Sequence, residues 1–317
     1  MIILIISFTV SFLVLICLLK TNLVNIALDE PNHRSLHTLV TPRTGGLAIM
    51  FGVLVAFALL GDLWLWFSFV IAFMLISLVD DIVGLQVRWR LLAQLLLCAS
   101  FILILLPQFS WWMMLLALLT LVWVTNLYNF MDGSDGLAGG MGLFGFGAFA
   151  LASHGAGDAY LAMISASVSA SCLAFLFFNF YPAKIFMGDA GSIPLGFLAG
   201  AIGLYGWQQA LWPMWFPVIV FSPFILDATI TLLKRALLRE KLWQAHREHY
   251  YQRMIQLGWG HKKTAIAEYT LMLLIAICAL VMLKLSYTWV ILLLLFWLFI
   301  YFFIMLKIDK LWKQRLP

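Results

Sequence analysis

Polar and acidic side chains crowd one short stretch of an otherwise apolar chain, residues 126–140 (NLYNFMDGSDGLAGG). Three of them recur every third residue, so a helix that continued through them would carry them on one slowly drifting face: Asn126, Asn129 and Asp132. Gly133 and Gly136 flank Asp135 and allow the backbone to turn there. Asn amides suit a uracil or an N-acetyl group, and carboxylates suit a ribose, a metal ion or proton abstraction. The alternative is a turn capped by its own Asn and Asp side chains.

Two adjacent carboxylates, Asp80 and Asp81, end an apolar run in the segment SLVDDIVGLQVRWRLLAQ. Neighbouring carboxylates repel each other, and carboxylates at membrane depth are costly and are usually functional. A divalent metal ion or a proton-transfer task would compensate for that cost, whereas the alternative is an ordinary solvated helix end. Arg88 and Arg90 follow at the start of the next apolar run, where they could bind phosphate or lipid headgroups.

A third polar group lies in the segment FFNFYPAKIFMGDAGSIPLG, where Asn179 ends one apolar run and Gly188, Asp189 and Ser192 lead into the next. Ser192 is expected to cap the following helix. A glycine-rich approach to a helix N-terminus is a ready anion site, yet Asp189 is itself an anion. A bridging Mg²⁺ reconciles the two, because Mg²⁺ prefers a few carboxylates plus substrate phosphates. In the alternative, Asp189 only favours the helix dipole.

Cationic side chains come from two further segments. If residues 234–266 contain a helix, four side chains lie on one face at spacings of three and four: His246, His249, Tyr250 and Arg253. That face, with Arg247 beside it, could grip a diphosphate, or the helix could simply lie on anionic membrane. The segment HRSLHTLVTPRTGG adds Arg34, His37 and Arg43, a weak signal on its own.

The composition indicates an all-α integral membrane protein, because the 317 residues are 64% hydrophobic and only 10% charged. Ordinary soluble domains carry about a quarter charged residues. The apolar runs approach or exceed the ~20 residues that a helix needs to cross a bilayer. We treat residues 1–317 as one polytopic domain with eleven predicted spans: 2–20, 45–61, 63–79, 91–107, 110–126, 137–153, 160–178, 193–207, 213–233, 267–284 and 288–306.

Charge distribution predicts the orientation of these spans. Of the 19 Lys and Arg residues, all but Lys284 lie in or beside alternate loops and the C-terminal tail. Cytoplasmic loops collect Lys and Arg, so we expect those loops and the C-terminus to be cytoplasmic and the N-terminus periplasmic. Only Asp62 and Asp158 are acids on the other side, and the rest, including Asp227, gather at or near the cytoplasmic face. This bias predicts a cation site there. The four cysteines lie in apolar runs without metal-ligand spacing and are expected to be small hydrophobes.

Four segments, taken in order, resemble the polyprenyl-phosphate N-acetylhexosamine-1-phosphate transferases, the MraY/WecA-like glycosyltransferase family 4: TPRTGG, DDIVGL, NLYNFMDGSDGLAGG and FNFYPAKIFMGDAGS. The resemblance implies transfer of a sugar 1-phosphate from a UDP-N-acetylhexosamine to undecaprenyl phosphate, with release of UMP. It implies Mg²⁺, with Mn²⁺ as a substitute, and the bacterial inner membrane as the location. The lipid bilayer is the expected partner, with a homodimer as a candidate assembly and no nucleic acid.

The resemblance also implies roles for single residues. Asp80 and Asp81 match the family's Asp–Asp pair, implicated as base or metal ligand, and Asp189 matches the Mg²⁺-coordinating aspartate. We expect Asp81 and Asp189 to hold the metal ion, with His246 and His249 as further catalytic residues. The substrate-binding candidates are Arg43, Arg88, Arg90, Asn126, Asn129, Asp132, Asp135, Asn179, Gly188, Arg247 and Arg253.

The histidine segment departs from the family's common patterns. It reads His-Arg-Glu-His at residues 246–249, rather than three consecutive histidines or His-Ile-His-His. It resembles a WbpL-like branch that initiates O-antigen and lipopolysaccharide synthesis with deoxy sugars such as N-acetylfucosamine (FucNAc) or N-acetylquinovosamine (QuiNAc). A UDP-N-acetylglucosamine-specific, WecA-like transferase is the alternative. A CDP-alcohol phosphotransferase would need a more compact aspartate motif, and a secondary transporter would place its acids near the midplane.

Overall fold

The computed structural model describes residues 1–21, 24, 26–29, 31, 40–61, 64–241 and 246–315. Two short antiparallel strands, β1 (Leu28–Asp29) and β2 (Thr41–Pro42), precede most of the helices. The helices of the described residues are α1 (Ile2–Lys20), α2 (Gly45–Leu60), α3 (Trp64–Val83), α4 (Val87–Leu105), α5 (Trp111–Phe130), α6 (Leu137–Gly155), α7 (Ala159–Asn179), α8 (Asp189–Gln208), α9 (Trp215–Val220), α10 (Ser222–Leu237), α11 (Tyr250–Met254), α12 (Gly260–Met282) and α13 (Tyr287–Arg315). Arg34, His37 and Asp62, which the sequence singled out, lie outside the described residues.

Nine helical segments in the described ranges are long and apolar enough to cross a membrane, and one of them combines α11 and α12. Helix α2 is a shorter apolar helix of 16 residues. The predicted span 213–233 is broken at Phe221 into α9 and α10, with Pro223 in the first turn of α10. Proline lacks the backbone N–H that a continuous helix would use. The all-helical, multi-span class is confirmed, while eleven spans and a periplasmic N-terminus stay predictions.

Several helices extend past the apolar runs into the polar motifs. Helix α3 continues to Val83, so Asp80 and Asp81 occupy its last turn instead of a loop. Helix α4 begins at Val87, which places Arg90 in its first turn. Hydropathy marks where a helix meets lipid, whereas backbone hydrogen bonds decide where it ends. The span boundaries predicted at these ends were therefore too short.

The beginning of α8 also differs from the prediction. The helix begins at Asp189 instead of residue 193, and Gly188, with φ +72°, is its N-cap. The Ser192 hydroxyl lies within the first turn and donates to the Gly188 carbonyl at 3.1 Å. The expectation that Ser192 caps the helix was therefore wrong.

Helix α8 lies against α2, α3, α5, α6 and α9, and most of its side chains are buried. At its crossing with α2, a Cβ built on Gly46 would lie 2.3 Å from the Cα of Gly191. Small residues allow membrane helices to approach this closely. Gly191 is two residues from Asp189, so this crossing fixes the position of that end of α8 relative to α2.

Gly46→Ala is expected to lower stability, because the added methyl group meets backbone atoms that cannot rotate away. Overpacking of this kind costs about 1–3 kcal/mol. Gly155→Ala is the matched control, since nothing lies within 4 Å of the Cβ there. Thermal unfolding in detergent should show a lower Tm for Gly46→Ala alone. Equal Tm values for both variants would show that the α2–α8 crossing is looser than described.

Candidate active site

Two cavities meet at the ends of α3, α5 and α8. The smaller has a volume of 180 Å³ and a polar wall that includes Asp132, Ser134 and Asp135. The larger has a volume of 720 Å³ and runs between α4, α5 and α10. Four residues line both cavities: Arg43, Asp81, Asn129 and Asp189. The structure therefore brings together acids that are more than a hundred residues apart in the sequence.

Asp189 is the first residue of α8, and its carboxylate is held from two sides. The Asn129 amide Nδ2 donates to Oδ1 at 2.7 Å, and Arg90 Nη1 donates to Oδ2 at 3.3 Å. Asn129 also donates to the Ser192 hydroxyl at 3.0 Å. These bonds fix the direction of the Asp189 carboxylate at the junction of the cavities.

Asp81 is buried beside Asp189. Its Oδ2 accepts a hydrogen bond from the Ala190 amide at 2.9 Å, and its backbone carbonyl accepts one from Arg43 Nη2 at 2.7 Å. Its other oxygen, Oδ1, is buried without a hydrogen-bond partner, although Arg43 Nε lies 3.5 Å away. A buried anionic oxygen with no donor is a position where a cation would bind favourably.

Asp80 lines only the larger cavity. Its Oδ1 accepts a hydrogen bond from the Leu85 amide at 2.7 Å, and its Oδ2 accepts one from Arg90 Nη1 at 3.1 Å. Since the same guanidinium reaches Asp189, Arg90 links the two acids across the mouth of the larger cavity. Arg90 therefore lies beside these acids, and its contact with substrate stays a prediction.

Asp132 follows α5 and adds a further acid to the smaller cavity. Burial raises the pKa of Asp132 well above its ordinary value, and the nearby Asp189 and Asp81 carboxylates raise it further. Crowded carboxylates of this kind favour a bound cation. The donor set consists of oxygens, which suits a hard ion such as Mg²⁺.

The residues present fit a metal ion that is completed by a substrate. Among the described residues, no group of three or more His, Cys, Asp or Glu side chains is placed to hold a metal by itself. Asp81 and Asp189 offer two carboxylates at the junction of the cavities. One or two carboxylates, with phosphate and water as the other ligands, are what a Mg²⁺ site typically uses.

Asn179 connects two loops of the smaller cavity. Its Oδ1 accepts a hydrogen bond from the Gly136 amide and its Nδ2 donates to the Ile185 carbonyl, both at 2.9 Å. Asp135 connects the same loops, since its Oδ2 accepts from the Ala183 amide at 3.0 Å. Both residues line the cavity, but the polar atoms of Asn179 are committed to backbone, so its task is to shape the pocket.

The three polar residues spaced three apart in the sequence, Asn126, Asn129 and Asp132, do not all lie on one helix in the structure. Asn129 and Asn126 belong to the last turns of α5, whereas Asp132 lies beyond the end of the helix. Asn126 lines the larger cavity, and its Nδ2 donates to Gln94 at 2.7 Å and to the Val122 carbonyl at 2.8 Å. The predicted continuous helical face was therefore wrong at Asp132.

The histidine segment closes the larger cavity. His249 is the N-cap of α11 and His246 precedes the helix, with their ring centroids 4.9 Å apart. Burial, with smaller contributions from His249 and Arg235, lowers the pKa of His246 to about 4, so its imidazole is neutral at pH 7. Asp227 binds this segment by accepting hydrogen bonds from the Tyr250 and Tyr251 amides at 2.8 and 3.0 Å. The two histidines meet through a helix cap and not along one helical face.

Three predicted substrate-binding arginines, Arg88, Arg247 and Arg253, line neither cavity. Arg88 is exposed over the Trp89 ring, because residues two apart on α4 do not share a face with Arg90. Arg247 is exposed, and its carbonyl accepts a hydrogen bond from Gln256. Arg253 points to α13. Contact of these side chains with substrate stays a prediction, and Arg43 and Gly188 line the smaller cavity.

His261 was not anticipated from the sequence. It lies at the beginning of α12 and lines the smaller cavity, with Nδ1 3.0 Å from the Ser134 hydroxyl and 3.5 Å from Asp135 Oδ1. Its ring stacks on Tyr181 at a centroid distance of 6.1 Å. The sequence showed only that His261 follows Gly258 and Gly260. It did not indicate that Ser134 and Asp135 are its partners.

Known proteins resemble this chain over most of its length. The sequence profile described as glycosyl transferase family 4 matches residues 63–206. The probable undecaprenyl-phosphate N-acetylglucosaminyl 1-phosphate transferase of Bacillus subtilis (strain 168) is 30% identical over 309 residues, which cover 91% of this chain and 86% of the relative. The phospho-N-acetylmuramoyl-pentapeptide-transferase of Halalkalibacterium halodurans is 27% identical, with 75% and 82% covered. The decaprenyl-phosphate N-acetylglucosaminephosphotransferase of Mycobacterium leprae is 30% identical, with 77% and 73% covered.

Fold and site thus define a membrane protein with an acid-rich centre between a polar and a largely apolar cavity. The chain belongs to glycosyl transferase family 4. The resemblance to MraY/WecA-like proteins is confirmed, and the WbpL-like branch stays a prediction.

Asn179→Ala is expected to destabilise the protein by about 2 kcal/mol, because it leaves a buried amide and a buried carbonyl without partners. Ser100→Ala is the control, since that exposed hydroxyl bonds only within its own helix. Chemical or thermal unfolding in detergent measures the difference. A change no larger than that of Ser100→Ala would argue against the loop-joining role.

Proposed function

We propose that this protein transfers a sugar 1-phosphate from a UDP-N-acetylhexosamine to a polyprenyl phosphate, such as undecaprenyl phosphate, and releases UMP. The observation that carries the proposal is the meeting of two cavities of opposite character at Asp81 and Asp189. One substrate is a water-soluble nucleotide and the other is a membrane lipid, so the reaction needs two such entrances. We place the site at the cytoplasmic face of the bacterial inner membrane.

The larger cavity suits the lipid phosphate. Apolar side chains from three membrane helices form one part of its wall: Leu91, Leu119, Val122, Trp123 and Leu232. Leu91 and Leu119 are 41% and 56% exposed on the surface that faces lipid. At the other end, Arg90 and the two histidines supply nitrogen groups that can hydrogen-bond a phosphate, and the Asp80 carboxylate lies beside them. An isoprenoid tail can therefore stay in the bilayer while its headgroup reaches the acids.

The smaller cavity suits the nucleotide sugar. Its wall carries amide, hydroxyl, guanidinium and carboxylate groups, which hydrogen-bond a base, a ribose and a diphosphate. Gly188 lies at its inner end, where a Cβ would be 2.2 Å from the Arg43 carbonyl. The backbone is thus packed closely at the point where the diphosphate would approach the start of α8.

The reaction brings two anions together, so charge compensation and positioning carry most of the catalysis. We propose that Asp81 and Asp189 hold Mg²⁺, for which Mn²⁺ can substitute, and that this ion supplies Lewis-acid stabilisation of the diphosphate. Arg90 and Arg43 place positive charge beside the same acids. His246 is neutral near pH 7 and therefore contributes hydrogen bonding to this cavity.

Asp80 is the proposed base or orienting group for the acceptor. It deprotonates or aligns the polyprenyl phosphate, whose oxygen attacks the β-phosphorus of the UDP-sugar. A new phosphorus–oxygen bond forms as the bond to the bridging oxygen breaks, and UMP leaves with that electron pair. Asp80 is suited to this task because it faces only the larger cavity and Arg90 fixes one of its oxygens.

The proposal for the donor sugar rests on the resemblance of the histidine segment, residues 246–249, to the WbpL-like branch. We propose a deoxy-N-acetylhexosamine such as FucNAc or QuiNAc, with a role in initiating O-antigen and lipopolysaccharide synthesis. The second candidate is UDP-N-acetylglucosamine, which is favoured by the names of the relatives from B. subtilis and M. leprae. Purified protein incubated with undecaprenyl phosphate, Mg²⁺ and a panel of UDP-sugars should release UMP with one class of donor. Release of no UMP from any donor would overturn the proposed transfer, and preference for UDP-N-acetylglucosamine would select the second candidate.

Asp189→Asn should reduce UMP release by at least a hundredfold, because loss of a metal-holding carboxylate removes several kcal/mol of transition-state stabilisation. Asp158→Asn is the control, since that carboxylate caps α7 through the Leu161 amide and lines neither cavity. Both variants should remain in the membrane fraction. Near-normal turnover by Asp189→Asn would remove Asp189 from the mechanism.

Leu119→Trp should raise the KM for polyprenyl phosphate roughly tenfold, equivalent to about 1.4 kcal/mol, by filling part of the larger cavity. The KM for the UDP-sugar should stay the same, since Leu119 does not line the smaller cavity. Leu116→Trp is a closely matched control: Leu116 is 57% exposed, lies one turn away on α5 and lines neither cavity. Equal acceptor KM values for the two variants would contradict the assignment of this cavity.

A further inference from the structure

Helix α13 extends well past the apolar run that predicted it. The predicted span ends at residue 306, whereas the helix continues to Arg315 and has 29 residues. A helix of that length measures about 43 Å, more than the ~30 Å hydrocarbon core of a bilayer. Its last turns therefore project from the membrane, and they carry Asp309 and Trp312 toward the side of α11.

Asp309 contacts three side chains from two other helices. Its Oδ1 accepts a hydrogen bond from Arg253 Nη1 at 2.9 Å, and its Oδ2 accepts one from the Tyr250 hydroxyl at 3.2 Å. Lys234 of α10 donates to the same Oδ2 and to the Tyr250 hydroxyl. One carboxylate thus faces two cations, both of which also contact Tyr250.

Aromatic rings enclose the same charges. The Arg253 guanidinium lies 5.4 Å from the Tyr250 ring centroid and 5.6 Å from that of Trp312, and Lys234 Nζ lies 5.0 Å from the Tyr250 ring. The Arg253 guanidinium is attracted by the ring quadrupoles, more so when partly desolvated, whereas Lys234 lies at the hydroxyl edge of Tyr250, to which it donates. We name this group the α13 clamp: Lys234, Tyr250, Arg253, Asp309 and Trp312.

The α13 clamp is one residue away from the proposed active site. Tyr250 is the first residue of α11 and directly follows His249, a residue that is 3% exposed and lines the larger cavity. Asp227 binds the backbone of α11 at Tyr250. The α13 clamp binds side chains of the same helix, Tyr250 and Arg253. A movement of α11 would therefore carry His249 with it.

We propose that Asp309 is a positioning residue that holds α11, and with it His249, against the acceptor cavity. The inference rests on the proposed function for its catalytic consequence and on the clamp geometry for its structural one. Without the carboxylate, Lys234 and Arg253 would repel each other and turn to water. That change removes the side-chain hold on α11 and leaves only the backbone hydrogen bonds to Asp227. A small displacement of a catalytic group far from the mutated side chain is enough to reduce turnover strongly.

The test compares Asp309→Asn with Lys310→Gln, which removes an exposed charge from the neighbouring position on α13. Two readouts are measured on the full chain in detergent: amide hydrogen exchange of Tyr250–Met254, and UMP release with separate kcat and KM values. Asp309→Asn should speed exchange in α11 and lower kcat by roughly 10- to 100-fold. The KM for the UDP-sugar should not change, because no clamp residue lines the smaller cavity. Lys310→Gln should match the wild type in every readout.

A second variant tests the route through Arg253. If Asp309 acts by holding Arg253, then Asp309→Asn combined with Arg253→Met should lose less kcat than the product of the two single losses, since coupled sites are not additive. Faster exchange with unchanged kcat, or reduced kcat with unchanged exchange, would overturn the positioning role. Strict multiplication of the single losses would also overturn it.

The two proposals fail differently. Absence of UMP release from the wild-type protein with every donor would overturn the proposed function. The exchange measurement would still decide whether Asp309 holds α11, because it needs no substrate. Unchanged exchange in Asp309→Asn, alongside normal UMP release by the wild type, would overturn the clamp alone.

Discussion

The hydrogen bond from the Ala190 amide to the Asp81 carboxylate joins the end of α3 to the beginning of α8, and the site is built around it. The N-cap of α8 is a glycine without a side chain, so a carboxylate from another helix satisfies this free amide. The positive end of the α8 dipole also compensates for placing Asp81 at the negative end of α3. Two acids can thus lie side by side, because one of them caps the helix that carries the other.

The glycines determine how closely the acid-bearing helices can approach. Gly46 and Gly191 bring α2 against α8, and Gly188 brings the Arg43 backbone beside the Asp81 carboxylate. Arg90 then spans Asp80 and Asp189. In a medium of low dielectric, both the repulsion among the acids and their attraction to these arginines are stronger than in water. The arrangement therefore depends on rigid helix packing, since a loose site would let the acids separate.

The sequence was sufficient for the helical membrane class and for the convergence of Asp80, Asp81 and Asp189, since unusual acids at the ends of apolar runs are a local signal. Hydropathy did not show that α3 and α8 continue into the polar motifs, because hydrogen bonds to other helices support those turns. It also did not distinguish Arg90 from Arg88. Both lie in the first turn of α4, and they differ only in the face of the helix on which they lie. Asn179, His261 and Asp309 act through partners up to 127 residues away, and such pairings depend on tertiary packing.

The apolar wall between α4, α5 and α10 opens sideways to the bilayer, as the exposure of Val87 and Leu119 indicates. A substrate that enters by this opening never leaves the plane of the membrane, and neither does its product. For the proposed polyprenyl phosphate acceptor, which would be confined to the membrane plane, the relevant quantity is the mole fraction of this lipid carrier among all lipids. Diluting that carrier with inert phospholipid would slow encounter even when the total amount in a sample stays constant.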